Sequence, residues 1–169
     1  MRIRVILFTF MVLVASVVHG NDFSAKATFD ELKTLVGDWK SSNANSSTSV
    51  DYRLIANGFA LVETWTMSPT RQSMTVYTMD GSRLIATHYC PQGNAPRLEM
   101  ISTDKSGAHY FLFFDGSNIQ DESSSHEHAF SIRIESSGIL TRNETYIGNE
   151  STYDPAVDKG QSESFFRVK

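Results

Sequence analysis

The sequence predicts an all-β protein, an antiparallel up-and-down barrel of about ten strands with one short N-terminal helix. Apolar and polar residues alternate with period two through most of the chain after residue 37, which is the pattern of half-buried strands. Turn-forming pairs such as Asn57-Gly58, Asp80-Gly81 and Ser137-Gly138 separate the alternating segments, as in β-hairpins. The segments are also short and evenly spaced. This favours closure into a barrel, because closure removes exposed sheet edges.

The helix is predicted directly before the first strand. Apolar residues recur there at helical spacing, at Phe29, Leu32, Leu35 and Val36. We expect Thr28 to cap the start of this helix, and Gly37 to end it.

The strands follow from the alternation. We expect them at residues 38–42, 49–55, 59–67, 74–79, 84–90, 97–103, 109–114, 126–134, 139–147 and 162–168. Longer polar segments lie at 115–125 and 148–161. A β-sandwich is the alternative architecture, but its Greek-key connections need longer loops than most of these turns allow.

The N-terminal segment predicts export. Arg2 and Arg4 flank the start of an apolar run, and Val18-His19-Gly20 offers small residues for cleavage. We expect 1–20 to be a signal peptide and 21–169 to form one domain in a secreted or periplasmic location. A membrane anchor is the alternative, but the uninterrupted stretch 5–18 is shorter than the roughly 20 residues of a spanning helix. No stable membrane span is therefore expected after cleavage at Asn21.

Composition excludes several classes of protein. Hydrophobic residues make up 40% of the chain and charged residues 20%, which excludes a disordered or collagen-like protein. The formal net charge is −4 with no basic cluster, so no nucleic-acid partner is expected. Cys90 is the only cysteine, which rules out an intramolecular disulfide. Glycosylation sequons occur at Asn45, Asn143 and Asn149, and they matter only in a eukaryotic host.

Two residue patterns resemble known barrels. The helix runs into Gly37-Asp38-Trp39 at the first strand, and Arg167 lies in the last strand. This arrangement resembles the calycin superfamily, which includes lipocalins and fatty-acid-binding proteins. The resemblance implies that Trp39 fills the closed end of a calycin-like barrel and that Arg167 packs across it. A planar guanidinium is well suited to stack on an indole.

The second pattern is more specific. It consists of the strand Thr87-His88-Tyr89-Cys90, the turn Asn94-Ala95-Pro96-Arg97, and the later pair His126 and His128. These residues resemble a mostly bacterial group of lipocalin-like proteins of unassigned function. The resemblance covers residues 29–167. It carries over no catalytic residues, because none are established for that group.

Polar side chains among apolar strand positions are the candidates for a binding site. They are Glu63, Tyr77, His88, Tyr89, Arg97, His126 and His128. We expect a small hydrophobic or amphipathic ligand whose polar head group these side chains orient. Arg97 could bind an anion bidentately, or it could brace the turn after Pro96. The alternative is a filled barrel that serves as a structural or partner-binding domain.

Histidines support a second hypothesis, a metal- or haem-binding protein that could be an enzyme. Period two places His126 and His128 on the same, inner face as Phe130, where they could meet His88 and Cys90 around a metal such as zinc. At least one of the pair should contact a polar residue of 87–97. One histidine could instead hold haem, as in the calycin-like nitrobindin group. No motif identifies a cofactor or a catalytic site, so binding is favoured over catalysis.

Overall fold

The computed structural model describes residues 24–121, 124–148 and 160–169. The expected signal segment 1–20, its cleavage point at Asn21 and the sequon at Asn149 lie outside the described residues. Within the described ranges, no helix has the length and apolar character needed to cross a membrane.

The N-terminal helix begins earlier than its apolar positions indicate. Helix α1 spans Ala25–Leu32, and a 3-10 turn continues it over Lys33–Leu35. The cap is Ser24, whose Oγ accepts a hydrogen bond from the Ala27 amide at 3.2 Å. Thr28, the predicted cap, lies buried inside the helix. The prediction of the cap is therefore wrong, because the amphipathic spacing does not mark the polar first turn.

Ten strands follow in the described residues. They are β1 Gly37–Ser41, β2 Ser49–Ile55, β3 Ala60–Ser68, β4 Arg71–Asp80, β5 Arg83–Tyr89, β6 Ala95–Thr103, β7 His109–Ser117, β8 His126–Ile134, β9 Leu140–Ile147 and β10 Gln161–Arg167. Each strand is antiparallel to its sequence neighbours, and β1 pairs with β10 to close the sheet. The predicted up-and-down barrel with a short helix is confirmed. Its architecture is compatible with a calycin-like fold.

The two ends of the barrel differ. Helix α1 packs against β4 and β5, and its buried residues join the apolar core with Trp39 of β1 and Phe165 of β10. This is the closed end, where β1 begins and β10 ends. Because neighbouring strands run in opposite directions, β1, β3, β5 and β9 all end at the other end. We call it the open end.

Trp39 and Arg167 hold the closed end together. They are register partners across β1 and β10, and the guanidinium carbon of Arg167 lies 4.4 Å from the centre of the Trp39 ring. Trp39 Nε1 donates a hydrogen bond to the Leu35 carbonyl at 2.8 Å, and Arg167 Nη2 donates to the Thr34 carbonyl at 2.6 Å. These bonds tie the end of the helical segment to the first and last strands.

Gly37 permits this arrangement, and replacing it with alanine should destabilise the protein. Its φ is +128°, and an added Cβ would lie 2.9 Å from Arg167 Nη1. We expect Gly37→Ala to lower the free energy of unfolding by about 1–3 kcal/mol, through backbone strain and displacement of the guanidinium. Urea unfolding measures the loss. Gly148→Ala is the control, because a Cβ there meets no atom within 4 Å. Equal unfolding midpoints for the two variants would contradict the prediction.

Candidate functional site

A layer of polar side chains crosses the barrel interior above the apolar core of the closed end. Arg142 of β9 lies at its centre and is 1% exposed. The other members come from β3, β4, β5, β8 and β9. We call the set the polar layer, and it consists of Glu63, Tyr77, His88, Glu127, Arg142 and Glu144.

The guanidinium of Arg142 contacts most of this layer. Its Nη1 donates to the Tyr77 hydroxyl at 2.8 Å and lies 3.7 Å from Glu63 Oε2. Its Nη2 donates to Glu127 Oε1 and its Nε to Glu144 Oε1, each at 3.3 Å. A buried guanidinium needs such partners, because an unpaired buried charge is very costly. Arg142 therefore joins three carboxylates that come from three different strands.

Glu63 is held by two aromatic side chains. The Tyr77 hydroxyl donates to Glu63 Oε2 at 2.5 Å, and Trp65 Nε1 donates to Glu63 Oε1. The Tyr52 hydroxyl is also buried, and none of the described residues forms a hydrogen bond with it. Burial raises the pKa values of Tyr52 and Tyr77 well above the ordinary range, so both phenols stay protonated at neutral pH.

His88 connects the polar layer to the open end. Its Nδ1 shares a hydrogen bond with Thr75 Oγ1 at 3.0 Å, and its Nε2 shares one with the Tyr146 hydroxyl at 3.2 Å. Glu127 Oε2 lies 3.5 Å from the same Nδ1. Burial lowers the pKa of His88 to about 4, so the imidazole is neutral at neutral pH. It therefore adds no positive charge to the layer.

Negative charge is in excess in this layer. Glu63, Glu127 and Glu144 face one guanidinium, and Oε2 of the fully buried Glu127 has no hydrogen-bond partner within the part of the chain that the structure describes. Burial raises the pKa of Glu127 to about 7. Burial, followed by the neighbouring Glu127 carboxylate, raises the pKa of Glu144 to about 7 as well. The layer thus exchanges protons near neutral pH, which ordinary surface carboxylates do not do.

The raised pKa of Glu127 predicts a pH-dependent stability. The carboxyl is protonated below pH 4.5 in both folded and unfolded chains, and between about pH 4.5 and 7 only the folded chain keeps the proton. The stabilisation that this bound proton gives the folded chain is therefore lost as the pH rises through that window. We compare the free energy of unfolding of Glu127→Gln with that of the wild-type protein. From pH 5 to pH 8, we expect this difference to shift by about 1–3 kcal/mol in favour of the variant.

Urea unfolding at the two pH values measures this gain. His88 titrates in both proteins, so its opposite contribution largely cancels in the difference. Glu99→Gln, on the outer face beside Arg83, controls for the loss of one negative charge from the chain. A stability difference between wild type and Glu127→Gln that does not change with pH would refute the raised pKa.

Two adjoining cavities open above the polar layer at the open end. Their volumes are about 470 and 380 Å³. Both are lined by Trp65, Glu144, Gln161 and Glu163. We call them together the open-end cavities. The larger reaches Arg142, and the smaller is also bounded by Met67, Cys90 and Tyr146. The cavities therefore combine aromatic and apolar walls with a charged floor.

The structure brings together three of the seven predicted site residues. Glu63, Tyr77 and His88 all belong to the polar layer. Tyr89 and Arg97 lie on the outer face instead. Tyr89 is 48% exposed, and Arg97 Nε donates to Asp115 Oδ1 of the neighbouring strand at 2.5 Å. These two residues line a separate outer groove of about 390 Å³.

The remaining candidates, His126 and His128, form a pair of their own. His126 Nε2 and His128 Nδ1 share a hydrogen bond at 3.0 Å, and both rings lie against Phe113. Asn94 donates to the carbonyl of Ser125, next to this pair, at 2.7 Å. The expected direct contact with 87–97 stays a prediction. In the described ranges, no group of three or more His, Cys, Asp or Glu side chains could hold a metal ion.

A β-bulge explains why sequence reasoning missed Glu127. The register of β8 against β9 shifts between Glu127 and Ala129, which interrupts the period-two pattern assumed for His126 and His128. Glu127 consequently reaches Arg142. Arg142 and Glu144 were missed for another reason: a charged pair two positions apart is typical of a solvent-facing strand surface. Arg142 and Glu144 follow Leu140 at every second position of β9, and Leu140 is buried. This shared face was the only signal in the sequence that the two charged residues point inward.

Cys90 lies half-buried at the open end. Burial raises the pKa of its thiol, so the thiol is protonated at neutral pH and is a weak nucleophile. The arrangement is better suited to binding through hydrogen bonds, charge and aromatic contact than to attack by this sulfur.

Comparison with known proteins adds no assignment to this geometry: no family model, curated protein or solved structure matches the chain.

Proposed function

We propose that the protein is an exported barrel that binds a small amphipathic molecule in its open-end cavities. The observation that carries the proposal is the lining of the cavities. Trp65, Met67 and Tyr146 offer aromatic and apolar contact, and Glu144 offers a charged group at the floor. Ligand sites commonly combine apolar walls with a few convergent polar groups. The polar head group of the ligand would face Glu144 and the polar layer beneath it.

The packing of the barrel limits the size of the ligand. Below the polar layer, buried side chains such as Leu61, Leu84 and Leu98 fill the interior together with aromatic rings. A long apolar chain therefore has no room in the closed half. The ligand that fits is short, with its apolar part between Trp65 and Tyr146.

Secretion or a periplasmic location is part of the same proposal. It rests on the N-terminal charge and apolar pattern of residues 1–20. Secretion would bring the barrel into contact with extracellular or periplasmic small molecules. N-terminal sequencing of protein recovered from the host tests it, and the expected first residue is Asn21.

Dye binding tests the cavity. Nile red, an uncharged fluorescent dye, should bind saturably to the wild-type protein. Ser73 lines the smaller cavity, so Ser73→Trp should fill it and abolish dye binding. Ser82→Trp, in the exposed turn between β4 and β5, is the matched control and should bind the dye like wild type. Equal binding by both tryptophan variants would place the dye elsewhere and contradict the proposal.

Native mass spectrometry separates the proposal from the histidine hypothesis. A protein purified without added ligand is expected to carry a small organic molecule or nothing. A mass increase equal to zinc or to haem would instead favour the metal- or haem-binding hypothesis built on His88, His126 and His128.

A further inference from the structure

We infer that the head group recognised in the open-end cavities is a protonated amine, so that the ligand is a small organic cation with an apolar body. This inference rests on the proposed function and names the ligand class of the same site. Three observations carry it: the charge of the cavity walls, a shortage of hydrogen-bond donors in the polar layer, and the aromatic walls.

Carboxylates dominate the charge around the cavities. Glu144 and Glu163 both line the two cavities, and Glu127 pairs with Arg142 at 3.3 Å. Among the described residues around the cavities, Arg142 is the one buried positive charge, since His88 is neutral. A cation that enters this region reduces the excess negative charge, whereas an anion increases it. The attraction is stronger beside the partly buried Glu144 and Glu163 than between fully solvated charges.

The polar layer also has too few donors. The three nitrogens of the Arg142 guanidinium are already engaged with Tyr77, Glu127 and Glu144. Even so, Oε2 of Glu127 is buried with no hydrogen-bond partner among the described residues, and an unsatisfied buried acceptor is unfavourable. Glu127 itself lines neither cavity, whereas Glu144 of the same layer lines both. An ammonium group brings three donors and no acceptor, so it would add donors to this acceptor-rich layer at Glu144.

The walls fit the rest of such a ligand. Trp65 and Tyr146 line the smaller cavity together with Glu144, and Met67 adds an apolar surface. A cation over the face of an indole or a phenol is attracted to the ring electrons. Aromatic walls beside carboxylates therefore bind both the ammonium group and the alkyl part next to it.

An anionic head group is the competing possibility, because Arg71 also lines the smaller cavity. Arg71 is exposed, so water screens its charge. Glu144 and Glu163 are partly buried, so water screens their charges less. The two carboxylates should therefore decide the preference, and they favour a cation.

Three probes that differ only in the head group test the inference: octylamine, 1-octanol and octanoate. Calorimetric titrations at about pH 7.5 keep the amine protonated, as for a lysine side chain. We expect saturable binding of octylamine, about tenfold tighter than octanol, as one charge-assisted contact would give. Octanoate should bind more weakly than octanol.

Two variants locate the effect. Glu144→Gln and Glu163→Gln should each weaken octylamine binding about tenfold and leave octanol binding within about twofold. Glu99→Gln, a carboxylate on the outer face beside Arg83, is the matched control and should leave all three affinities unchanged. Circular dichroism and thermal melting test whether each variant is folded. The comparison of the three probes is made on the wild-type protein, so it does not depend on the folding of any variant.

The possible outcomes distinguish a failure of the amine inference from a failure of the proposed function on which it rests. Octanol or octanoate binding as tightly as octylamine overturns the amine inference and leaves the proposed function standing. Saturable octylamine binding that neither glutamine variant weakens also overturns it, because the carboxylates would then not hold the head group. No saturable binding by any of the three probes overturns the inference together with the proposed small-molecule function.

Discussion

Replacing Arg142 with methionine is expected to destabilise the barrel by about 3–5 kcal/mol, the usual cost of removing one partner from a buried charge network. The guanidinium is 1% exposed and bonds Tyr77, Glu127 and Glu144. Its loss leaves buried carboxylates without a counter-charge. Methionine fills a similar length of the interior, so the effect reports the charge more than a cavity.

The pH dependence of this loss identifies its cause. Without Arg142, the neighbouring carboxyls should take up protons more readily, so the deficit should be smaller at pH 5 than at pH 8. Adding Glu127→Gln and Glu144→Gln to Arg142→Met should recover part of the lost stability, because amides need no counter-charge. Urea unfolding followed by circular dichroism measures each value.

Arg133→Met is the matched control for this experiment. Arg133 lies on the neighbouring strand β8, is partly exposed and pairs with Glu135 at 2.6 Å. A surface ion pair contributes about 0–1 kcal/mol, so this variant should lose little stability. If Arg142→Met lost no more than Arg133→Met, the interior charge network would not be a main contributor to stability.

The sequence predicts the fold well because local rules determine it. Most strands of the barrel alternate apolar and polar residues, and the turns at Asp80-Gly81 and Ser137-Gly138 contain the residues that hairpins require. Since every strand pairs with its sequence neighbours, correct local assignments also predict the topology. Only the closing pair of β1 and β10 is distant in sequence, and Trp39 and Arg167 indicate it.

The candidate site was harder to predict because its partners come from distant strands. Glu63, Glu127 and Arg142 meet across the barrel, and no local spacing relates them. Both faces of strand β5 are partly apolar, so alternation alone did not show that His88 points inward and Tyr89 outward. A polar cluster that depends on register across several strands is visible only once the barrel is closed.

The interior of the barrel changes from apolar to charged along its axis. The closed end contains the helix, the apolar core and the Trp39–Arg167 contact, all densely packed. The open half contains buried charges and cavities, which stabilise a fold less than apolar packing does. Substitutions at the closed end should therefore act through lost packing, whereas substitutions of Arg142 should act through unpaired buried charge.

Trp39→Ala is the sharpest test of the closed end. The indole is 2% exposed, donates a hydrogen bond to the Leu35 carbonyl and lies under the Arg167 guanidinium. Truncating a large buried aromatic ring removes apolar contact and leaves a cavity. We expect a loss of about 3–5 kcal/mol in the free energy of unfolding, measured by urea denaturation.

A double-mutant cycle with Arg167 separates the ring contact from the loss of packing. Arg167→Ala should cost about 0.5–2 kcal/mol more in the wild-type protein than in the Trp39→Ala background, because the guanidinium loses its aromatic partner there. Phe59→Ala, which truncates a ring that is 61% exposed, is the control and should cost little. Equal costs of Arg167→Ala in both backgrounds would mean that the stacked guanidinium acts only through its bonds to the Thr34 and Val36 carbonyls. Unchanged stability in Trp39→Ala itself would contradict the role of the indole as the plug of the closed end.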